Sequence, residues 1–214
     1  RGDLEAAARD FRTAATLDPS AARALEQWGD VLYEQQRYDR AAEVYESRLR
    51  LDDRSANVRY LLGLAHYRGG NLSEAIAALE QATQLDGNLA QAYYLMGVCF
   101  RDTNRLQEAV AAQETAIARA PGLIPAREEL SQLYGALGRR RNETEQLQVL
   151  AGLEGGRVER RIAVGLAYAR AGNVDLAVLT LASALEQAPD HPLVYGALGR
   201  VWLDMAITRR DRPD

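Results

Sequence analysis

Apolar residues recur along this chain with the spacing of amphipathic helices. In "ALEQWGDVLYEQ" (24–35), Leu25, Trp28 and Leu32 fall at i, i+3 and i+7, and in "YDRAAEVYESRLRL" (38–51) Ala41, Val44, Tyr45 and Leu49 form a second stripe. The two patterns alternate down the chain, which predicts an all-α protein built from antiparallel helix pairs. Between the members of a pair stands a turn residue, and Gly70, Asn104, Gly138 and Gly172 hold equivalent places there. Gly and Asn tolerate the left-handed backbone that ends a helix, so each marks a predicted stop. The following segments, such as "LSEAI" and "YDRAA", carry an acidic residue near their start, where the helix dipole is positive.

The alternation has a fixed period. "GNLSEAIAAL" at 70–79 and "GNVDLAVLTL" at 172–181 lie 102 residues apart, three periods of 34. At that period Gly stands at 29, 63, 97, 165 and 199, with Ser131 in the remaining slot. Ala stands at 7, 41, 75, 109 and 177, with Glu143 in its remaining slot. Pro occupies 19, 121 and 189, with Asp53, Gly87 and Gly155 in the intervening slots. Small residues at two fixed slots let helix axes approach closely, and larger residues fill the space around them. The period predicts units at 22–55, 56–89, 90–123, 124–157 and 158–191, preceded by a lone second helix (1–21) and followed by a first helix within 192–214. The unit 124–157 departs most from the pattern. Glu143 at the close-contact slot and the glycines of "GLEGGR" (152–157) predict looser packing there.

These residues resemble the tetratricopeptide repeat (TPR) family, whose pattern is W-x₂-L-G-x₂-Y, then A-x₃-F, then P. The first half reads Leu25, Trp28, Gly29, Leu32 in one unit and Tyr93, Met96, Gly97, Phe100 in another; the second half reads Ala7, Phe11, Pro19 and Ala41, Tyr45, Asp53. The resemblance covers essentially the whole chain. It implies a right-handed superhelical solenoid whose concave face, lined by the first helix of each unit, holds a peptide or helix of a partner protein.

Composition narrows the chemistry. All 26 basic residues are Arg, which reads as the coding bias of a GC-rich, bacterial genome. Without Lys there is no P-loop lysine and no Schiff base. Two His (His66, His191) and one Cys (Cys99) exclude multi-His or multi-Cys metal sites and any internal disulfide. The net charge of −4 argues against general nucleic-acid binding, and no apolar run is long enough to span a membrane. The first residues, "RGDLEAAARDF", read as an excerpt from a longer chain. Catalytic residues, metal ligands and cofactors are therefore not expected. Cys99 and His66 read as core residues, His191 as part of a turn, and Arg139–Arg141 as a solvated loop.

What remains is a non-catalytic scaffold that binds a protein or peptide. By analogy with the family, its groove takes Tyr60, Leu61, Leu64, Tyr67, Arg68, Tyr94, Leu95, Val98 and Arg101, with an acidic rim of Glu26, Asp30, Glu34, Glu128 and Glu129. Tyr supplies large contact area at small entropic cost, and the arginines would grip backbone or a carboxylate. The carboxylate clamp of chaperone-binding TPR proteins is absent, because its cationic places here hold Glu26/Asp30 or Tyr60/Leu64. Two alternatives stand beside the scaffold: homo-oligomerisation through the terminal helices, and a substrate-selecting region of an enzyme whose catalytic domain lies elsewhere.

Overall fold

In the computed structural model the backbone is described from Gly2 to Asp211 and side chains from Asp3 to Ile207. Arg1 and residues 212–214, assigned above to the ends of the repeat array, lie outside the described residues. These form twelve helices and no strand. They group into two compact units, residues 1–121 and 122–214.

The first unit holds α1 (Gly2–Leu17), α2 (Ala22–Glu34), α3 (Tyr38–Leu51), α4 (Ala56–Gly69), α5 (Leu72–Leu85), α6 (Ala90–Asp102) and α7 (Leu106–Arg119). The second holds α8 (Ile124–Ala136), α9 (Arg140–Leu153), α10 (Val158–Arg170), α11 (Val174–Gln187) and α12 (Pro192–Asp211). Within each unit every helix packs on the next in chain order. In the first, Leu25, Leu32, Val44, Tyr45, Leu49, Val58 and Leu62 belong to one continuous core. In the second, Ile162, Leu181, Val194 and Val201 belong to another.

The periodic glycines have a direct packing cause. A Cβ on Gly29 would stand 2.5 Å from the Tyr45 ring, one on Gly63 2.7 Å from Leu79, and one on Gly165 2.7 Å from Leu181. On Gly97 it would collide with the Gln113 amide. In every case the glycine of a first helix receives the side chain sixteen residues later, on the second helix of the pair. The periodic alanine lies one turn before that side chain, and Ala41, Ala75, Ala109 and Ala177 are all fully buried.

The turns inside the pairs are also alike. Gln36, Gly70, Asn104, Gly138 and Gly172 all adopt positive φ. At each, the next residue's N–H donates back to the carbonyl five residues earlier, as Arg37 to Leu32 (2.9 Å) and Asn71 to His66 (2.9 Å). This Schellman arrangement satisfies carbonyls that the helix end leaves open. Gln36, at φ 61°, pays for that geometry with a side chain. Gln36→Gly is therefore expected to stabilise the chain by about 1 kcal/mol, read as a higher midpoint in urea unfolding. An unchanged or lower midpoint would contradict the strain argument.

In the unit 124–157 the unusual residues are held by ion pairs. Glu143 is buried, with its side chain 8% exposed; one carboxylate oxygen pairs with Arg140 at 3.2 Å and the other with Arg170 of α10. Space for it comes from Gly135, where a Cβ would lie 3.4 Å from the carboxyl group. The glycine-rich exit is fastened too. Glu154 pairs with Arg157 (3.1 Å) and Arg160 (2.6 Å), and the Gln187 amide donates to the carbonyl of Gly156 at 3.2 Å.

Candidate functional site

The first helices α2, α4 and α6 of the first unit bring a tyrosine set together. Tyr33, Tyr60 and Tyr94 come from three consecutive first helices, and Tyr60 has the phenols of both others as neighbours. Burial is the main cause that pushes the Tyr60 hydroxyl above its ordinary pKa, with those two phenols adding to it. All four tyrosines of this face, with Tyr67, are half-buried, so each exposes part of its ring. Tyr33 also meets Tyr38 edge-on, with ring centroids 5.3 Å apart.

Polar neighbours surround these rings. The Arg68 guanidinium donates to the Tyr33 hydroxyl at 3.2 Å, linking α4 to α2. The Asp102 carboxylate of α6 lies near the Tyr67 hydroxyl, and burial followed by that carboxylate raises its pKa. Asp102 in turn accepts two hydrogen bonds from Arg101, at 2.8 and 3.0 Å. Behind the face, the Gln113 amide donates to the Tyr94 carbonyl at 3.1 Å.

The nine expected groove residues divide by exposure. Tyr60, Leu64, Tyr67, Tyr94 and Arg101 are half-buried and Arg68 is exposed. Leu61 packs against the core that contains Leu25 and Val58. Leu95 and Val98 are each only 5% exposed. Helix α6, packed between α5 and α7, buries Leu95 to Phe100 without a break. These two residues shape the floor of the face and present almost no surface of their own. Tyr33 and Asp102 join the site although the sequence reading left them out of the anchor. Their signal was positional, since they occupy the same unit places as Tyr67 and Arg68.

The acidic residues divide as well. Asp30 accepts a 2.7 Å hydrogen bond from the Tyr45 hydroxyl, while Glu26 is half-buried and Glu34 exposed. Glu128 and Glu129 belong to the second unit, where Glu128 pairs with Arg160. The Arg139–Arg141 run is not a loop beyond its first residue. Arg139 caps α9, and Arg140 and Arg141 form its first turn. Arg140 and Arg141 line a cleft of about 470 Å³ with Thr144, Glu145, Gln148 and Tyr168. Both are matched by carboxylates, Arg141 through a 3.1 Å pair with Glu145.

Cys99 is fully buried, and burial pushes its thiol up to about 12, so it is a packing residue. His191 lies 3.4 Å from Glu159 in the turn before α12. Among the described residues no group of three His, Cys, Asp or Glu is placed to hold a metal ion. No described helix is long and apolar enough to cross a membrane.

This repeated pair geometry defines a class of helical-repeat protein, and sequence comparison agrees with it. The tetratricopeptide repeat family model matches residues 1–56, 26–90 and 60–124, more than half of the chain. The chain belongs to the tetratricopeptide repeat family. Its fold is similar to that of MamA, at 27% identity and a TM-score of 0.69 over 72% of this chain and 90% of MamA. It is also similar to YrrB, described as a TPR protein with an unusual peptide-binding site, at 20% identity and a TM-score of 0.70 over 90% and 99% of the two chains. Pseudomonas aeruginosa pilF matches at 20% identity and a TM-score of 0.69 over 94% and 90%. No curated protein sequence matches the chain.

Proposed function

We propose that this chain is a protein-interaction scaffold whose first unit binds an extended segment of a partner across α2, α4 and α6. The observation that carries this reading is the half-buried tyrosine set Tyr33, Tyr60, Tyr67 and Tyr94 on consecutive first helices, with Tyr33 held by Arg68. Rings already half-buried among their neighbours lose little freedom on binding, which favours their use as anchors. The peptide-binding site ascribed to YrrB supports the same class of ligand.

The rings set the ligand's chemistry. An apolar or aromatic side chain would lie against Tyr60 and Tyr94, while Tyr hydroxyls and Arg101 meet its backbone. Glu26 and Glu34 favour basic flanking residues and a faster encounter at low salt. No group in this arrangement calls for a catalytic step.

A random peptide display library panned on the chain tests the proposal. Enriched peptides are expected to carry an apolar residue beside Arg or Lys. The double variant Tyr60→Ala/Tyr94→Ala is expected to weaken their binding by at least about 30-fold, the scale of a two-residue hot spot. Equal affinity in the double variant, or a library with no enriched sequence, would overturn the reading.

A further inference from the structure

A cleft of about 160 Å³ lies between α1 and α3, with α2 as its floor. Arg9 and Arg12 of α1 and Arg37 and Arg40 of α3 line it, with Trp28 and Leu32 below. All four arginines are exposed, and none makes an ion pair among the described residues. Glu5 is the one acidic residue of the lining, so four positive charges stand against one negative.

The cleft belongs to the repeat, whereas its charge does not. In the second unit Arg141, Thr144, Glu145, Gln148, Tyr168 and Asn173 line the larger cleft described above, and each stands four periods after a lining residue of this one. There Arg141 is matched by Glu145. One period after the basic cleft, the corresponding places hold Asp39, Glu43, Glu46, Asn71 and Glu74, with no cation among them. The Asn71 amide donates to Asp39 at 3.3 Å, from the start of α5 to α3, so these places also face one another in the next pair.

Arg40 runs against the local field as well. It stands in the first turn of α3, at the positive end of the helix dipole, where α5 and α7 carry Glu74 and Glu108. Unmatched arginines gathered at such a place repel one another, and a bound anion relieves that repulsion. The acidic places one period on restrict the anion. An extended polyanion, such as nucleic acid or an acidic tail, would run from the cleft into carboxylates, whereas a compact anion stays within it. A carboxylate brings a single charge. A phosphate monoester brings nearly two, with three oxygens that can each accept from a different guanidinium.

We propose that this cleft binds a phosphate monoester, held by Arg9, Arg12, Arg37 and Arg40 with its organic part against Trp28. The site is independent of the peptide reading above, since the cleft and the tyrosine set share no residue.

Isothermal titration calorimetry of the 214-residue chain with phenyl phosphate, in phosphate-free buffer, tests this. One saturable site per chain is expected, weakening as sodium chloride is added. Arg12→Gln/Arg40→Gln is expected to weaken binding at least about tenfold and to keep the helical circular dichroism, because both side chains are exposed. Glu5→Gln removes the opposing charge and is expected to tighten binding. Benzoate, with the same ring and one charge, is expected to bind more weakly than phenyl phosphate. A phosphoserine peptide separates two sources of the same group: tighter binding than phenyl phosphate supports the site with a phosphorylated partner chain, and weaker binding supports it with a small phosphate ester. No saturable binding of phenyl phosphate, equal affinity for benzoate, or unchanged binding in Arg12→Gln/Arg40→Gln would overturn the proposal.

Discussion

Gly63→Leu is expected to destabilise the chain by about 3 kcal/mol, whereas Gly199→Ala, at the same slot of another helix, is expected to stabilise it by roughly 1 kcal/mol. The opposite signs follow from what each residue faces. Even a bare Cβ at residue 63 would stand 2.7 Å from Leu79 Cγ, 2.9 Å from its Cδ2 and 3.3 Å from the Ala75 carbonyl oxygen. Leu79 is itself fully buried and cannot swing aside, so a leucine at 63 must push α4 and α5 apart. At Gly199 no atom lies within 4 Å, and only the helix-propensity gain of alanine over glycine remains. Urea unfolding at low micromolar concentration, followed by circular dichroism, reads both. The coupling is checked by Gly63→Leu/Leu79→Ala, in which the shortened side chain makes room. That double variant is expected to lose clearly less than the sum of the two single losses. Additive losses would mean that Gly63 is conserved in the period for some reason other than contact with Leu79.

The two glycines show why the period and its close helix contacts were readable while the partner of each glycine was not. Regular spacing of Gly and Ala needs only the chain itself, and so do the helix stripes and left-handed turns at Gly70, Asn104, Gly138 and Gly172. The partner of each glycine lies on the next helix, and its identity varies from Tyr45 to Leu79 to Gln113, so no fixed letter marks it. Gln36 shows the same limit. It takes the left-handed conformation because its place demands it, although its residue type gives no sign of that.

The candidate face was legible to a similar depth. Its orientation came from likeness to a family, and the tyrosines named on that basis do lie half-buried on neighbouring helices. Leu95 and Val98 were named by the same rule, but the packing around α6 takes them in. Helical spacing gives the direction of a side chain around its own axis. How closely the flanking helices crowd that direction depends on tertiary packing, which the spacing does not contain. Asp102 entered the site for a reason of the same kind, because its approach to Tyr67 crosses from one unit of the repeat to the next.

Glu143 supplies the second large effect, and it is asymmetric. Arg140→Met/Arg170→Met is expected to destabilise the chain by about 3 kcal/mol, because it leaves a buried carboxylate without either counter-charge. Glu143→Ala is expected to change stability by less than about 1 kcal/mol. In that variant alanine returns to the slot that Ala41, Ala75, Ala109 and Ala177 hold elsewhere. The released arginines, 43% and 44% exposed, already reach water and can be solvated where they stand. The carboxylate has no such escape at 8% exposure, wedged against Gly135. The triple variant that also carries Glu143→Ala is therefore expected to recover most of the loss, since the stranded charge is gone. Urea midpoints of the four proteins check this as a cycle. If the arginine double variant is as stable as the parent, Glu143 is hydrated despite its burial. If Glu143→Ala alone costs as much as the double variant, the ion pairs themselves hold α9 to α10. The sequence reading expected Glu143 to loosen its helix pair, since it put a carboxylate at a close-contact slot. Arg170 lies 27 residues away on the following first helix, and only the fold brings it within reach.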